Sequence, residues 1–99
     1  MAKTPEAKVK AIVVAQLKTL GAYYFYPVTS GYGSSGVPDI VACYQGKFFG
    51  IECKAKGNKP TALQLLNLEK ITQSGGLALV IDETNAEQVA RYLQDWSVK

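Results

Sequence analysis

The sequence predicts an α/β domain, one mixed sheet with helices on its faces. Three features carry that expectation. An amphipathic helix with a marked start and stop comes first, and two strand-like runs flank a two-residue turn at Gln45-Gly46. An all-apolar run, Leu77–Ile81, then follows a second helical segment. A hairpin pairs antiparallel, whereas a strand reached through a helical crossover can pair parallel, so a mixed sheet is expected. The 99 residues are about one domain's worth of chain and are read as a single domain, 1–99.

In the first helix Thr4 is the candidate N-cap, Pro5 takes the first helical position and Gly21 follows the last turn. Val9, Ile12, Val13, Leu17 and Leu20 make one apolar stripe. Ala22–Val28 is aromatic and strand-like, and Pro27 marks an edge or an ending. A polar glycine loop occupies Thr29–Gly36. Asp39–Tyr44 and Lys47–Lys54 are the hairpin strands.

Gly57-Asn58-Lys59-Pro60 breaks the pattern, and a helix is expected from about Thr61 to Ser74, before Gly75-Gly76. Leu77–Ile81 reads as a strand covered on both faces. Thr84 or Asn85 is expected to cap a last helix, whose Val89, Tyr92, Leu93 and Trp96 recur at helical spacing. The order is αβββαβα.

Composition removes several function classes. There are 11 Lys+Arg and 8 Asp+Glu, a formal charge of +3, which is mildly basic. There is no histidine, so a His general base, a Ser-His-Asp or Cys-His couple and a His-ligated metal are excluded. Any chemistry must run on carboxylates, lysine, tyrosine, thiols or a cofactor. Two cysteines neither staple a secreted scaffold nor close a zinc site. No run of about 18 apolar residues could span a membrane, and residues 1–6 hold no secretory signal. A reducing cytoplasm is the expected compartment.

The hairpin arithmetic points to a site. A turn at Gln45-Gly46 sets Tyr44 opposite Lys47, and the same register sets Asp39 opposite Glu52. Their Cβ atoms would then lie roughly 4.5–5.5 Å apart on one face, where like charges destabilise. A divalent cation bridging both would remove the conflict, and oxygen ligands suit Mg²⁺ or Mn²⁺. Lys54 shares the face of Glu52. Two acids and a lysine suit phosphodiester hydrolysis, with the lysine positioning water or neutralising developing charge. A surface salt bridge between Lys54 and one acid explains the spacing equally well.

Local structure also explains the neighbours. Glu6 suits the positive end of the first helix dipole, which is the simpler reading of it. Thr61-Ala62-Leu63-Gln64 fits a capping box, which suffices for Gln64. Cys43 falls on the Asp39 face and Cys53 on the opposite one, so the geometry argues against a disulfide and both read as small buried hydrophobes. The Cys53 carbonyl lies between the acidic and basic side chains, where it could ligate a metal.

Gly36-Val37-Pro38-Asp39 followed by Ile51-Glu52-Cys53-Lys54 resembles the PD-(D/E)xK signature of the restriction-endonuclease-like nucleases. With Glu6 on the first helix and Gln64 after the lysine, residues 5 to about 81 resemble the stand-alone phage type of the virus-type replication-repair nuclease (VRR-NUC) domain. The resemblance implies that family's αβββαβ core, here with a further helix. It implies that Asp39, Glu52 and the Cys53 carbonyl hold Mg²⁺ or Mn²⁺, with Glu6 completing the site directly or through water. Lys54 would assist the attacking water and Gln64 would orient it or Lys54. The implied activity is cleavage of branched or flapped DNA, with kinship to Holliday-junction resolvases.

The glycine loop contains no Lys or Arg, so DNA contacts there would come from backbone amides, Tyr32, Ser34 or Ser35. Lys47, Lys56 and Lys59 are the cationic candidates, with solubility as their simpler explanation. A non-catalytic DNA-binding or assembly module with the same fold is the alternative function. Tyr23, Tyr24, Phe25, Tyr26, Phe48 and Phe49 exceed what two short strands readily bury, so a homodimer is expected.

Overall fold

The computed structural model describes residues 4–28 and 36–99. Helix α1 spans Pro5–Leu20, with the Thr4 hydroxyl accepting the Ala7 amide at 3.1 Å. It ends at Gly21, whose left-handed φ of 74° lets its amide return to the Leu17 and Lys18 carbonyls. Both ends are thus fixed by the residues expected to fix them. Val9, Val13 and Leu17 are fully buried.

Four strands follow in spatial order β1 (Tyr23–Phe25), β2 (Ile40–Tyr44), β3 (Lys47–Cys53) and β4 (Leu77–Ile81). The first three pair antiparallel, and β3–β4 is parallel. The β2–β3 turn places both Gln45 and Gly46 at positive φ, 52° and 76°, as a primed hairpin turn requires. Strand β1 is only three residues long, and Pro27 offers no amide with which to extend it.

Helix α2, Ala62–Gln73, is the crossover to β4. The chain ends in a 3₁₀ turn at Ala86–Gln88 that runs into helix α3, Val89–Ser97. Helices α1 and α3 cover one sheet face, where Val9, Val13, Leu17, Val89 and Leu93 meet Ile40, Ala42, Phe49, Ile51, Cys53 and Ile81. Helix α2 covers part of the other face. There Ile71 occupies the space a Cβ on Gly50 would need.

Three expectations are corrected. Strand β4 is a sheet edge, not a strand covered on both faces, and Val80 is 40% exposed. Neither Thr84 nor Asn85 caps the last helix through its side chain. The Asp82 carboxylate instead accepts the Thr84 amide and hydroxyl at 2.8 and 2.5 Å, closing a local turn, while Asn85 accepts the Asp82 amide. Cys43 is exposed and only Cys53 is buried, because α2 packs over β3 and β4 and leaves the outer half of that face open. Both thiols are free. No helix among the described residues is long and apolar enough to cross a membrane.

Candidate active site

The hairpin has the register its turn implies, from Tyr44↔Lys47 to Ile40↔Ile51, and the ladder stops one pair short of Asp39 and Glu52. Proline chemistry explains the stop. The Cys53 amide is turned to the β2 side, whereas the next amide, Lys54, donates to the Ile81 carbonyl in β4 at 2.8 Å. In a continued ladder Cys53 would exchange hydrogen bonds with residue 38. That residue is Pro38, which has no N–H. The Asp39 carboxylate takes the Cys53 amide instead, accepting at Oδ2 over 2.8 Å. The Cys53 carbonyl leaves the same strand edge, facing a residue that cannot donate to it.

Glu52 is the buried acidic side chain among the described residues, 2% exposed. Lys54 Nζ stands 3.3 Å from its Oε2. Its other oxygen, Oε1, is buried without a hydrogen-bond partner. Burial pushes the Glu52 pKa up, the Asp39 charge adds to that rise, and Lys54 offsets part of it. The ion pair anticipated as a surface contact is therefore an interior one, with Lys54 itself 13% exposed. Burial raises the Cys53 thiol to about 12, with the Asp39 charge second, so the thiol is neutral and unreactive.

Gly36 locks the approach to this cluster. Its φ is +84°, and a Cβ there would lie 2.6 Å from the Leu63 carbonyl carbon and 2.8 Å from the Gln64 amide nitrogen. The first turn of α2 thus rests on the backbone just before Val37-Pro38-Asp39. Gln64 forms the capping box: its Oε1 accepts the Thr61 amide at 2.8 Å and its own amide donates to the Thr61 hydroxyl at 3.2 Å. That side-chain oxygen is engaged in the helix start.

Other residues singled out in the sequence lie further away. Glu6 sits in the first turn of α1, half-buried, and its charge reaches Cys53. It does not join Asp39 and Glu52 in a three-ligand cluster, since no group of three or more such side chains occurs among the described residues. Lys47 lies at the hairpin turn, about 17 Å of strand from Glu52, and donates to the Lys99 carbonyl at 3.0 Å. The Lys56 amide donates to Glu83, and its ammonium lies near enough to Asp82 to lower that acid's pKa, after the two Thr84 bonds. Lys59 is exposed. Tyr32, Ser34 and Ser35 lie outside the described residues.

Two contributors are absent from the sequence reading. Gln16, on α1, donates to the Ala86 carbonyl and accepts the Ala90 amide at 2.8 Å, so it caps α3 from another helix. Lys10 brings positive charge close enough to lower the Cys53 pKa against the acids around it. Their spacing on α1 places them on its surface but does not say what they face.

The donors that converge here are oxygens: two carboxylates and a carbonyl without a ladder partner. A buried, unpartnered carboxylate oxygen beside a second carboxylate fits a small hard cation such as Mg²⁺ or Mn²⁺.

A search of family profiles returns no match. Sequence comparison finds "Putative nuclease p44" of Acyrthosiphon pisum secondary endosymbiont phage 1, 31% identical over 85 residues, covering 85% of this chain and 89% of that protein. Among solved structures, a "VRR_NUC domain" superposes with a TM-score of 0.74 at 22% identity, over 93% of this chain and 97% of the other. The solved domain has the same fold, including the mixed sheet and flanking helices. The chain belongs to the VRR-NUC family of nucleases.

Proposed function

We propose that this protein is a Mg²⁺- or Mn²⁺-dependent endodeoxyribonuclease that cuts branched DNA, such as a four-way junction or a flap, and works as a homodimer. The observation that carries the reading is the Asp39–Glu52–Lys54 cluster, with Glu52 Oε1 buried and unpartnered. Asp39, Glu52 and the Cys53 carbonyl would hold the cation, with Glu6 acting on it through water.

When bound, the cation polarises the scissile phosphate and acidifies the attacking water. Lys54, paired with one oxygen of Glu52, assists the attacking water and offsets negative charge that builds on the phosphate. Water oxygen bonds to phosphorus and releases a proton to solvent, the bond to the leaving sugar oxygen breaks, and that oxygen takes up a proton. Gln64 acts through position, fixing the first turn of α2 beside the site.

Pairing is supported by exposed aromatic surface. Tyr23 is 73% exposed and Phe25 49% exposed on the β1 edge, more than a strand edge in water favours. Two copies would present two sites to the two strands of a branch point.

Cleavage of linear duplex, flap, splayed arm and four-way junction with Mg²⁺ and with Mn²⁺ tests the activity. Asp39→Asn and Glu52→Gln should lose it by at least about a hundredfold while binding DNA. Either variant cutting at the wild-type rate would overturn the assignment. Light scattering should give twice the 10.7 kDa of one chain; a mass of one chain, with and without junction DNA, would remove the paired mechanism.

A further inference from the structure

Apart from the carboxylate cluster, the described surface is concave along helix α1. A groove of about 500 Å³ runs between the outer flank of α1 and the residue after β1, bordered by Lys10, Lys18 and Tyr26 over a floor that includes Ala11, Val14 and Ala15. Lys10 and Lys18 are eight residues apart, about 12 Å along the helix. Helix α1 carries Glu6 as its lone acid, against Lys8, Lys10 and Lys18. Through the whole chain, nine basic side chains stand against four acidic ones before Asp82, and two against four from Asp82 onward. The groove belongs to the positive part.

Its position follows from the ladder. Phe25 pairs with Val41, so Tyr26 is level with Ile40, the neighbour of Asp39. Two strand spacings, roughly 10 Å, separate that level of β1 from β3. The Tyr26 end of the groove therefore lies at the level of Asp39, two strands across from the carboxylate cluster, and Lys10 and Lys18 border it along α1. Tyr26 meets Tyr24 edge-on at 6.1 Å and is 49% exposed, which leaves ring surface open to a ligand.

We infer that this groove takes an unpaired DNA strand leading to or from the scissile phosphate. Lys10 and Lys18 neutralise its phosphates, and Tyr26 stacks on one of its bases. Cations tracking a backbone beside an exposed aromatic ring are what a single strand requires, and the contact is tolerant of sequence because every base has a face to stack. The inference rests on DNA being the substrate. It adds that the cut lies next to single-stranded DNA, as in a flap, a splayed arm or an opened branch point.

The test is fluorescence anisotropy of the full chain without divalent cation, using a short labelled oligothymidylate and a short blunt duplex. Lys10→Ala/Lys18→Ala should weaken oligothymidylate binding about tenfold and lower the slope of log affinity against log salt by roughly 1.4, two contacts of about 0.7 each. Lys18→Ala alone, at an exposed site, should lower the slope by about 0.7. Tyr26→Ala should weaken binding about tenfold and Tyr26→Phe should not. Duplex binding should not change in any of them.

Unchanged oligothymidylate affinity and slope in the lysine variants overturns the inference, as does equal loss of duplex and single-strand binding. If the wild type cuts no DNA yet these variants lose single-strand binding, the nuclease reading fails and the groove stands. If the wild type cuts and the variants bind normally, the groove fails alone.

Discussion

Lys54 Nζ lies 3.3 Å from Glu52 Oε2, and the second oxygen of the same carboxylate is buried with nothing to accept from. The two oxygens are thus in unlike situations: the chain's own cation steadies one and leaves the other free. A buried ion pair seldom gains much stability once desolvation is counted, so a half-satisfied one is hard to account for by stability. It suits a carboxylate that must stay aligned and still accept a second cation.

Lys54→Ala should therefore separate catalysis from metal binding. Cleavage should fall by about a hundredfold or more, while Mn²⁺ affinity by calorimetry stays the same or tightens, because a neighbouring positive charge is gone. A large loss of affinity would mean that Lys54 holds the acids in their metal-binding arrangement.

The raised pKa of Glu52 gives a pH signature in metal-free protein. The folded chain binds this proton more tightly than the unfolded one. Stability from this group is therefore greatest below the ordinary carboxylate range and falls as pH rises through the raised value. Glu52→Gln should melt above wild type at pH 8 and converge with it in acid. Parallel melting curves across that range would show that burial and Asp39 do not set the charge balance.

Gly36→Ala should cost about 2 kcal/mol or more, close to a 10 °C fall in Tm. The added Cβ meets backbone in α2, which cannot rotate aside, and φ is +84°. A thermal melt within a degree or two of wild type would show that α2 does not rest on this loop end.

Gln16→Ala should cost about 1–2 kcal/mol, since it removes the cap on Ala90 and the donor to Ala86 together. Urea denaturation measures it. Gln16→Glu should keep the Ala90 bond and lose the Ala86 one, and so fall between.

Thiol labelling gives a simple check of the sheet's two faces. In native protein a maleimide should modify Cys43 and spare Cys53, which is buried with its pKa raised to about 12. Rapid double labelling by mass spectrometry would contradict the packing of α1 and α3 over β3.

What could be read from sequence was set locally. Thr4, Pro5 and Gly21 bound α1, and Gln45-Gly46 fixed the hairpin, because a few neighbouring residues decide caps and turns. The hairpin in turn brought Asp39 to the Cys53 strand. What could not be read depends on distant parts of the chain. That Leu77–Ile81 forms an edge is decided by where the other three strands lie, and its apolar residues look alike in either place. The cap of α3 comes from Gln16, more than seventy residues earlier. Cys43 is open because α2 lies elsewhere, and no periodicity in residues 39–44 records where a helix twenty residues later will sit.

Pro38 gives the site a backbone origin as well as a side-chain one. It stands opposite Cys53 where the ladder would otherwise add a rung. What it contributes is a missing hydrogen atom. Any other residue there would bring an amide able to claim the Cys53 carbonyl and lengthen the sheet, leaving every acid and lysine in the sequence but one acceptor fewer between them. Selection at this position can thus act on a group the side chain never touches, and a census of charged residues would not reveal the loss.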